Sequence, residues 1–118
     1  MGYHSFEELE VWKRACRVAV RVYEVLKDCR DYGLRDQMTR AAVSIASNIA
    51  EGSERNSPLD YIRFLHIAKG SAAELRTQLY IAQRIGLIDQ AVQAELTQEC
   101  QELAAMLQGL AKSLKSNP

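Results

Sequence analysis

Arg40-Ala41-Ala42-Val43-Ser44-Ile45-Ala46-Ser47-Asn48-Ile49-Ala50-Glu51-Gly52-Ser53-Glu54-Arg55 reads as one face-divided helix. Ala41, Ile45, Ile49 and Gly52 recur at 4-4-3 spacing, and Leu34 and Met38 carry the same seam upstream. Beside it, Gln37, Arg40, Ser44, Asn48, Glu51 and Arg55 recur at 3-4-4-3-4 spacing and share one edge. The helix is expected over Leu34 to Arg55. A polar edge against an apolar seam creates half-buried polar groups, which must find partners. Ser71, Glu74 and Gln78, flanked by Ile67 and Ile81, offer such an edge further on. Arg40, Glu51, Arg55 and Glu74 are expected to alternate as ion pairs that fix the register of helices or subunits. A ligand or catalytic cleft is the competing reading of the same edge.

Punctuation on both sides delimits three more helices. Ser5-Phe6-Glu7-Glu8 has the form of a capping box, so the first helix is expected from Ser5 to about Asp28. Cys29 to Gly33 reads as a connection. Asn56-Ser57-Pro58 stops the second helix and starts the third, with Ser57 as N-cap, Pro58 at the first position and Asp60 favouring the positive helix end. The third helix is expected to reach Ile85, with Gly86 at the left-handed position beyond its end. Asp89 caps a fourth helix running to about Leu114. Nothing alternates as a strand would, and no repeat or low-complexity segment is visible. Four long helices with short connections make an all-α, up-down-up-down four-helix bundle, expected as a single domain over residues 1–118.

Composition fits that reading. Hydrophobic residues at 47% and charged residues at 25% exclude a disordered chain. Two prolines and six glycines leave too little turn chemistry for a dense all-β fold. Fifteen basic residues balance fifteen acidic ones, so no global field argues for nucleic acid. A chain of 118 residues is expected to be compact, with a radius of gyration of roughly 13–14 Å. Three unpatterned cysteines, Cys16, Cys29 and Cys100, form no disulfide framework and no zinc site; Cys16 and Cys100 are expected to pack as small apolar residues. The acidic N-terminal stretch does not resemble a signal peptide, and no apolar run approaches membrane-spanning length, so a cytoplasmic setting is expected.

The first helix carries more apolar surface than a peripheral bundle helix requires. Leu9, Trp12, Cys16, Ala19, Tyr23 and Leu26 form one seam, and Val11, Ala15, Val18, Val22 and Val25 another. Together they span roughly 200° of arc, where ~100° suffices. Val11, Val18, Val22 and Val25 are therefore expected at a subunit interface, the alternative being plain burial under neighbours. The fourth helix carries a single seam, Leu96, Cys100, Leu103, Leu107, Leu110 and Leu114.

Cations gather on the outer face of the third helix: Arg63, His66, Lys69, Arg76, Tyr80 and Arg84, with no carboxylate among them. Such a face can track a phosphate backbone, with Tyr80 available for stacking. Arg14, Arg17 and Arg21 of the first helix are expected to add to it, diluted by Glu10 and Glu24. Signatures of catalysis are missing. There is no Gly-rich phosphate loop, no nucleophile elbow and no Glu-x-x-His pair. His4 and His66 have no natural nucleophile partner. No cofactor, no metal and no catalytic residue is expected. Glu51 and Glu74 would work as a carboxylate pair only if a pocket joined them.

These residues also carry a resemblance. Arg40 to Arg55 closely resembles the RAAVSI-x-x-NIAEG-x-x-R signature of the 23S rRNA intervening-sequence protein family. Phe6-Glu7-Glu8-Leu9-Glu10-Val11-Trp12 resembles the family's F-x-x-L-x-V-W opening, and Tyr32-Gly33-Leu34-Arg35-Asp36-Gln37 its YGL-x-x-Q. Phe64 to Leu79 resembles FL-x-IA-x-GS-x-x-EL-x-TQL. The likeness runs in order from Phe6 to Ile88; the fourth helix matches only in character. Cys29-Arg30-Asp31 departs from the Pro and Glu that the family often has there.

The resemblance implies a small four-helix bundle assembled as a ring-like homopentamer. It also implies kinship with the accessory variability protein of diversity-generating retroelements, a basic pentamer that binds nucleic acid and a reverse transcriptase. The expected partners are thus copies of the chain itself, RNA or DNA, and a protein such as a reverse transcriptase or ribosomal component, with no membrane. The signature positions Arg40, Asn48, Glu51, Arg55, Ser71 and Glu74 are read as an architectural network. The leading functional expectation is a non-enzymatic scaffold for RNA or ribonucleoprotein. The alternative is a protein–protein adaptor whose oligomer takes up a partner helix.

Overall fold

Ser5, Asp31, Ser57 and Asp89 each turn a side-chain oxygen onto a backbone N–H shortly downstream. Glu7 N donates to Ser5 Oγ at 3.2 Å, Leu34 N to Asp31 Oδ1 at 3.1 Å, Asp60 N to Ser57 Oγ at 3.3 Å and Val92 N to Asp89 Oδ1 at 2.8 Å. Each satisfies a donor that a helix start would otherwise leave unpaired. Ser5 introduces the 3₁₀ turn Phe6–Glu8 ahead of α1 (Glu10–Val25), and the other three introduce α2 (Tyr32–Ser53), α3 (Pro58–Arg84) and α4 (Gln90–Ser116). The computed structural model describes residues 5–116, and no strand occurs among them.

The first helix differs from expectation. Ser5 caps only a 3₁₀ turn, Phe6–Glu8, and Leu9 then adopts extended backbone at φ −76° and ψ 127° before α1 begins. The turn folds Phe6 back onto Trp12, ring edge to face with centroids 5.3 Å apart. The end of α3 matches its sequence signal. Gly86 takes φ 84°, Gly86 N donates to Gln83 O and Leu87 N to Ala82 O, the paired bonds of a Schellman motif.

Contacts between helices fix their directions. Ser44 meets Ser71, and Gly52 lies against Tyr61 and Phe64, so α2 and α3 run antiparallel. Arg21 meets Glu95 while Arg14 reaches Glu99, so α1 and α4 also run antiparallel. The bundle is an elongated square prism of 49 × 19 × 19 Å, which raises the radius of gyration to 14.9 Å, above the value for a compact globule.

Its core is large at the centre and small at the seams. Leu26, Met38, Ile45, Ile49, Leu65, Leu75, Leu79, Leu96, Leu103 and Leu107 are fully buried. Ala15, Ala42, Ala68, Ala72 and Ala82 are sealed between them and let the helix backbones approach. Cys100 joins this core, and burial pushes its thiol up to about 12, so it is inert at neutral pH.

The valine stripe of α1 corrects the sequence expectation. Val11, Val18 and Val22 are buried within the single chain, and Val25 packs half-buried against the same core. They are core residues, not a subunit face. The neighbouring seam is split: Ala19 and Leu26 join the core, whereas Trp12 and Cys16 are half-buried and Tyr23 is 52% exposed, next to Val20 at 59%. Two seams on one helix are symmetric in sequence. Which one enters the core depends on where α2 and α4 lie, a tertiary fact.

Candidate functional site

A square bundle has four flanks, and the polar residues of this one are sorted among them. On the α4/α1 flank the arginines expected to meet phosphate are neutralised. Arg14 donates to Glu99 at 3.1 Å and to Glu102; Arg21 grips Glu95 through both Nε and Nη2 at 3.0 Å; Arg17 lies 3.4 Å from Glu10. Their guanidiniums hold the Glu95 and Glu102 carboxyls below the usual carboxylate range. With Glu24 also near Arg21, these arginines are matched by more carboxylates than their own number.

The α3/α4 flank is the opposite. Lys69 donates to the neutral amide of Gln108 at 2.6 Å. Arg84 donates to Tyr80 Oη at 2.8 Å and stacks over that ring, 5.6 Å from its centroid. Arg76 has no carboxylate within ion-pair distance among the described residues. Ala73, Arg76, Thr77, Tyr80, Gln93 and Thr97 line an open groove of about 450 Å³ there, its α4 wall supplied by amide and hydroxyl groups. His66 and Arg63 lie further along the exposed face of α3. Asp60 reaches Arg63 at 3.3 Å, one turn back, and Arg63 also lies over the Phe64 ring.

This sidedness was missed at the sequence level because the fourth helix was read only for its leucines. Glu95, Glu99 and Glu102 recur at 4-3 spacing on one edge, whereas Gln93, Thr97 and Gln108 occupy the other. That division was visible in the residues, and it is what discharges α1 while leaving α3 charged.

The α2/α3 flank carries the signature residues, in part as expected. Ser44 Oγ and Ser71 Oγ lie 2.9 Å apart, and Asn48 Nδ2 donates to Ser44 O at 2.8 Å and to Ser44 Oγ at 2.9 Å. These bonds tie the two helices at one register. The alternating ion pairs do not form. Among the described residues Glu51 meets Arg55 alone, at 3.7 Å and exposed, and Arg55 lies over the Phe64 ring. Arg40 and Glu74 are exposed and unpaired among the described residues. Gln78 is buried, its Oε1 accepting nothing there. Glu51 lines an outer groove with Tyr23, Arg40, Val43 and Asn48, and Glu74 is not among the residues that line it. His4 lies outside the described residues.

The α1/α2 flank is a groove of about 460 Å³ walled by Phe6, Trp12, Val20 and Tyr23 and floored by Ala19, Ala46 and Ala50. Its lining is almost wholly apolar. Among the described residues no group of His, Cys, Asp or Glu could hold a metal ion, and no helix is long and apolar enough to cross a membrane.

Comparison with known proteins gives two findings. The family model described as 23S rRNA-intervening sequence protein matches residues 7–109. A crystal structure of a protein of unknown function from the S23 ribosomal protein family of Bacteroides thetaiotaomicron superposes with a TM-score of 0.81 at 25% identity, covering 86% of this chain and 98% of that one. No curated protein matches the sequence.

Proposed function

We propose that this chain, which belongs to the 23S rRNA-intervening sequence protein family, is a non-enzymatic helical scaffold that assembles as a ring-like homopentamer and holds RNA or ribonucleoprotein on its α3/α4 flank. The observation that carries this reading is the sorting of charge by α4. Its glutamates cancel the arginines of α1, and its amides leave Lys69, Arg76 and Arg84 uncancelled beside Tyr80. A chain of zero net charge thereby keeps one locally positive strip. Guanidinium and ammonium groups at helical spacing suit a phosphate backbone, and an Arg-stacked tyrosine suits an unpaired base. One subunit offers few phosphate contacts; five copies in a ring would multiply them.

The test is RNA binding measured against salt. Structured RNA should be retained at ~50 mM salt, and affinity should fall steeply as salt rises. Lys69→Glu, Arg76→Glu and Arg84→Glu together should weaken retention by at least about tenfold and flatten the salt slope, whereas Arg17→Glu should change little. No binding at low salt, or equal binding by the triple variant, overturns the reading.

A further inference from the structure

Arg40 and Glu74 are both exposed and both unpaired among the described residues. Each also borders an apolar surface that the chain leaves uncovered. Arg40 stands three residues before Val43 at the rim of the α1/α2 groove. Glu74 stands midway along a stripe on α3 whose other members are Ile67, Gly70 and Ile81, the isoleucines 42% and 44% exposed. We infer that α3 of one subunit seats in the α1/α2 groove of a second copy of this chain, with Glu74 of one copy meeting Arg40 of the next. The inference rests on the oligomeric reading above and specifies its contact.

Three features of the subunit favour a second copy as the occupant. The first is height. Ser44 and Ser71 lie side by side, so Glu74, three residues on from Ser71, is level with Ala41, three residues back from Ser44. By the same antiparallel count, Ile67 is level with Asn48, within the Val43 to Ala50 stretch that lines the groove. In a ring whose axis runs along the bundles, neighbouring copies keep their heights. Ile67 then faces the alanine floor, and Glu74 faces Arg40.

The second is Gly70. It lies inside a long helix, where glycine is a poor choice, and a Cβ there would meet nothing within 4 Å. The subunit's own packing gives it no reason, whereas close approach of another backbone does. The third is the angle between the two surfaces. The groove opens on the α1/α2 flank and the stripe on the α2/α3 flank, a quarter-turn apart on a square bundle. Head-to-tail contacts between different surfaces close into rings, and a turn near 90–110° closes one of about four or five copies.

A charge-reversal cycle read by light scattering and circular dichroism tests this. The wild type should weigh several subunits at micromolar concentration. Arg40→Glu and Glu74→Arg should each raise the concentration of half-dissociation at least about tenfold with helicity unchanged, and the double reversal should restore most of that loss. Gly70→Leu should dissociate the ring while leaving the helices intact. A wild-type oligomer indifferent to both reversals and to Gly70→Leu rejects this contact and leaves the oligomeric reading standing. A wild type that is already a single subunit removes both.

Discussion

Val18→Lys combined with Val22→Lys unfolds the subunit and does not release a folded monomer. The two valines are 2% and 1% exposed, facing the bundle axis with Ala15 and Leu26. Each substitution removes roughly 1.5 kcal/mol or more of apolar burial. Each also asks an ammonium to enter an apolar core at several kcal/mol, less at position 18 than at 22, because Val18 borders an open groove that holds Glu24, Glu95 and Glu99. Two such costs approach or exceed the ~5–15 kcal/mol that holds a typical domain together. Lysine has a long stem and can reach for water, but α1 is flanked by α2 and α4 on both sides of these positions. The expected result is loss of the helical circular dichroism signal and of any cooperative thermal transition. Val20→Lys, at an exposed site on the same helix, should keep both. A soluble, fully helical double variant would show that the valine stripe lies outside the core.

The second large effect is expected at Gly52. A Cβ built there lies 2.8 Å from Phe64 Cβ, 3.0 Å from Tyr61 Cδ1 and 3.3 Å from Tyr61 O. Rotation of a side chain does not move a neighbouring Cβ, so α2 and α3 must separate. Glycine in a helix interior costs ~1 kcal/mol relative to alanine, and Gly52→Ala recovers that. Overpacking of a close seam costs about 1–3 kcal/mol and outweighs it. Gly52→Ala should therefore lower unfolding stability in urea by up to about 2 kcal/mol, and Gly52→Val by more. Gly109→Ala, where a Cβ meets nothing within 4 Å, should move the other way by up to ~1 kcal/mol. Equal shifts at both positions would remove the close approach of α2 and α3 as the reason for Gly52.

Much of the fold was legible before any coordinates. Asp89, Ser57-Pro58 and Gly86 mark their helix ends because each satisfies or relieves a specific backbone need, and such needs are local. The seams of α2 and α4 were legible because each of those helices has one apolar stripe, so its inward face is not in question. The first helix has two, and periodicity alone cannot rank them; the structure inserts Val11, Val18 and Val22 and leaves Tyr23 exposed and Trp12 half-buried. The cationic site was half legible. Lys69, Arg76, Tyr80 and Arg84 stay together, but Arg14, Arg17 and Arg21 are cancelled by acids, two of the three pairs reaching α4 more than 70 residues away. Pairing across that distance is set by which helices become neighbours. The network of Arg40, Glu51, Arg55 and Glu74 failed for the same kind of reason. Sharing an edge only lines side chains up along one flank, and Ser44, Ser71 and Asn48 take the contact line there and leave the charges outside.

On the proposed contact, those stranded charges, the open groove and Gly70 belong to one interface between copies. Static light scattering of the purified protein across a dilution series measures this most directly. The account predicts a mass near five times the 13.3 kDa subunit at micromolar concentration, dissociating only on strong dilution. A 13.3 kDa particle at every concentration would contradict it.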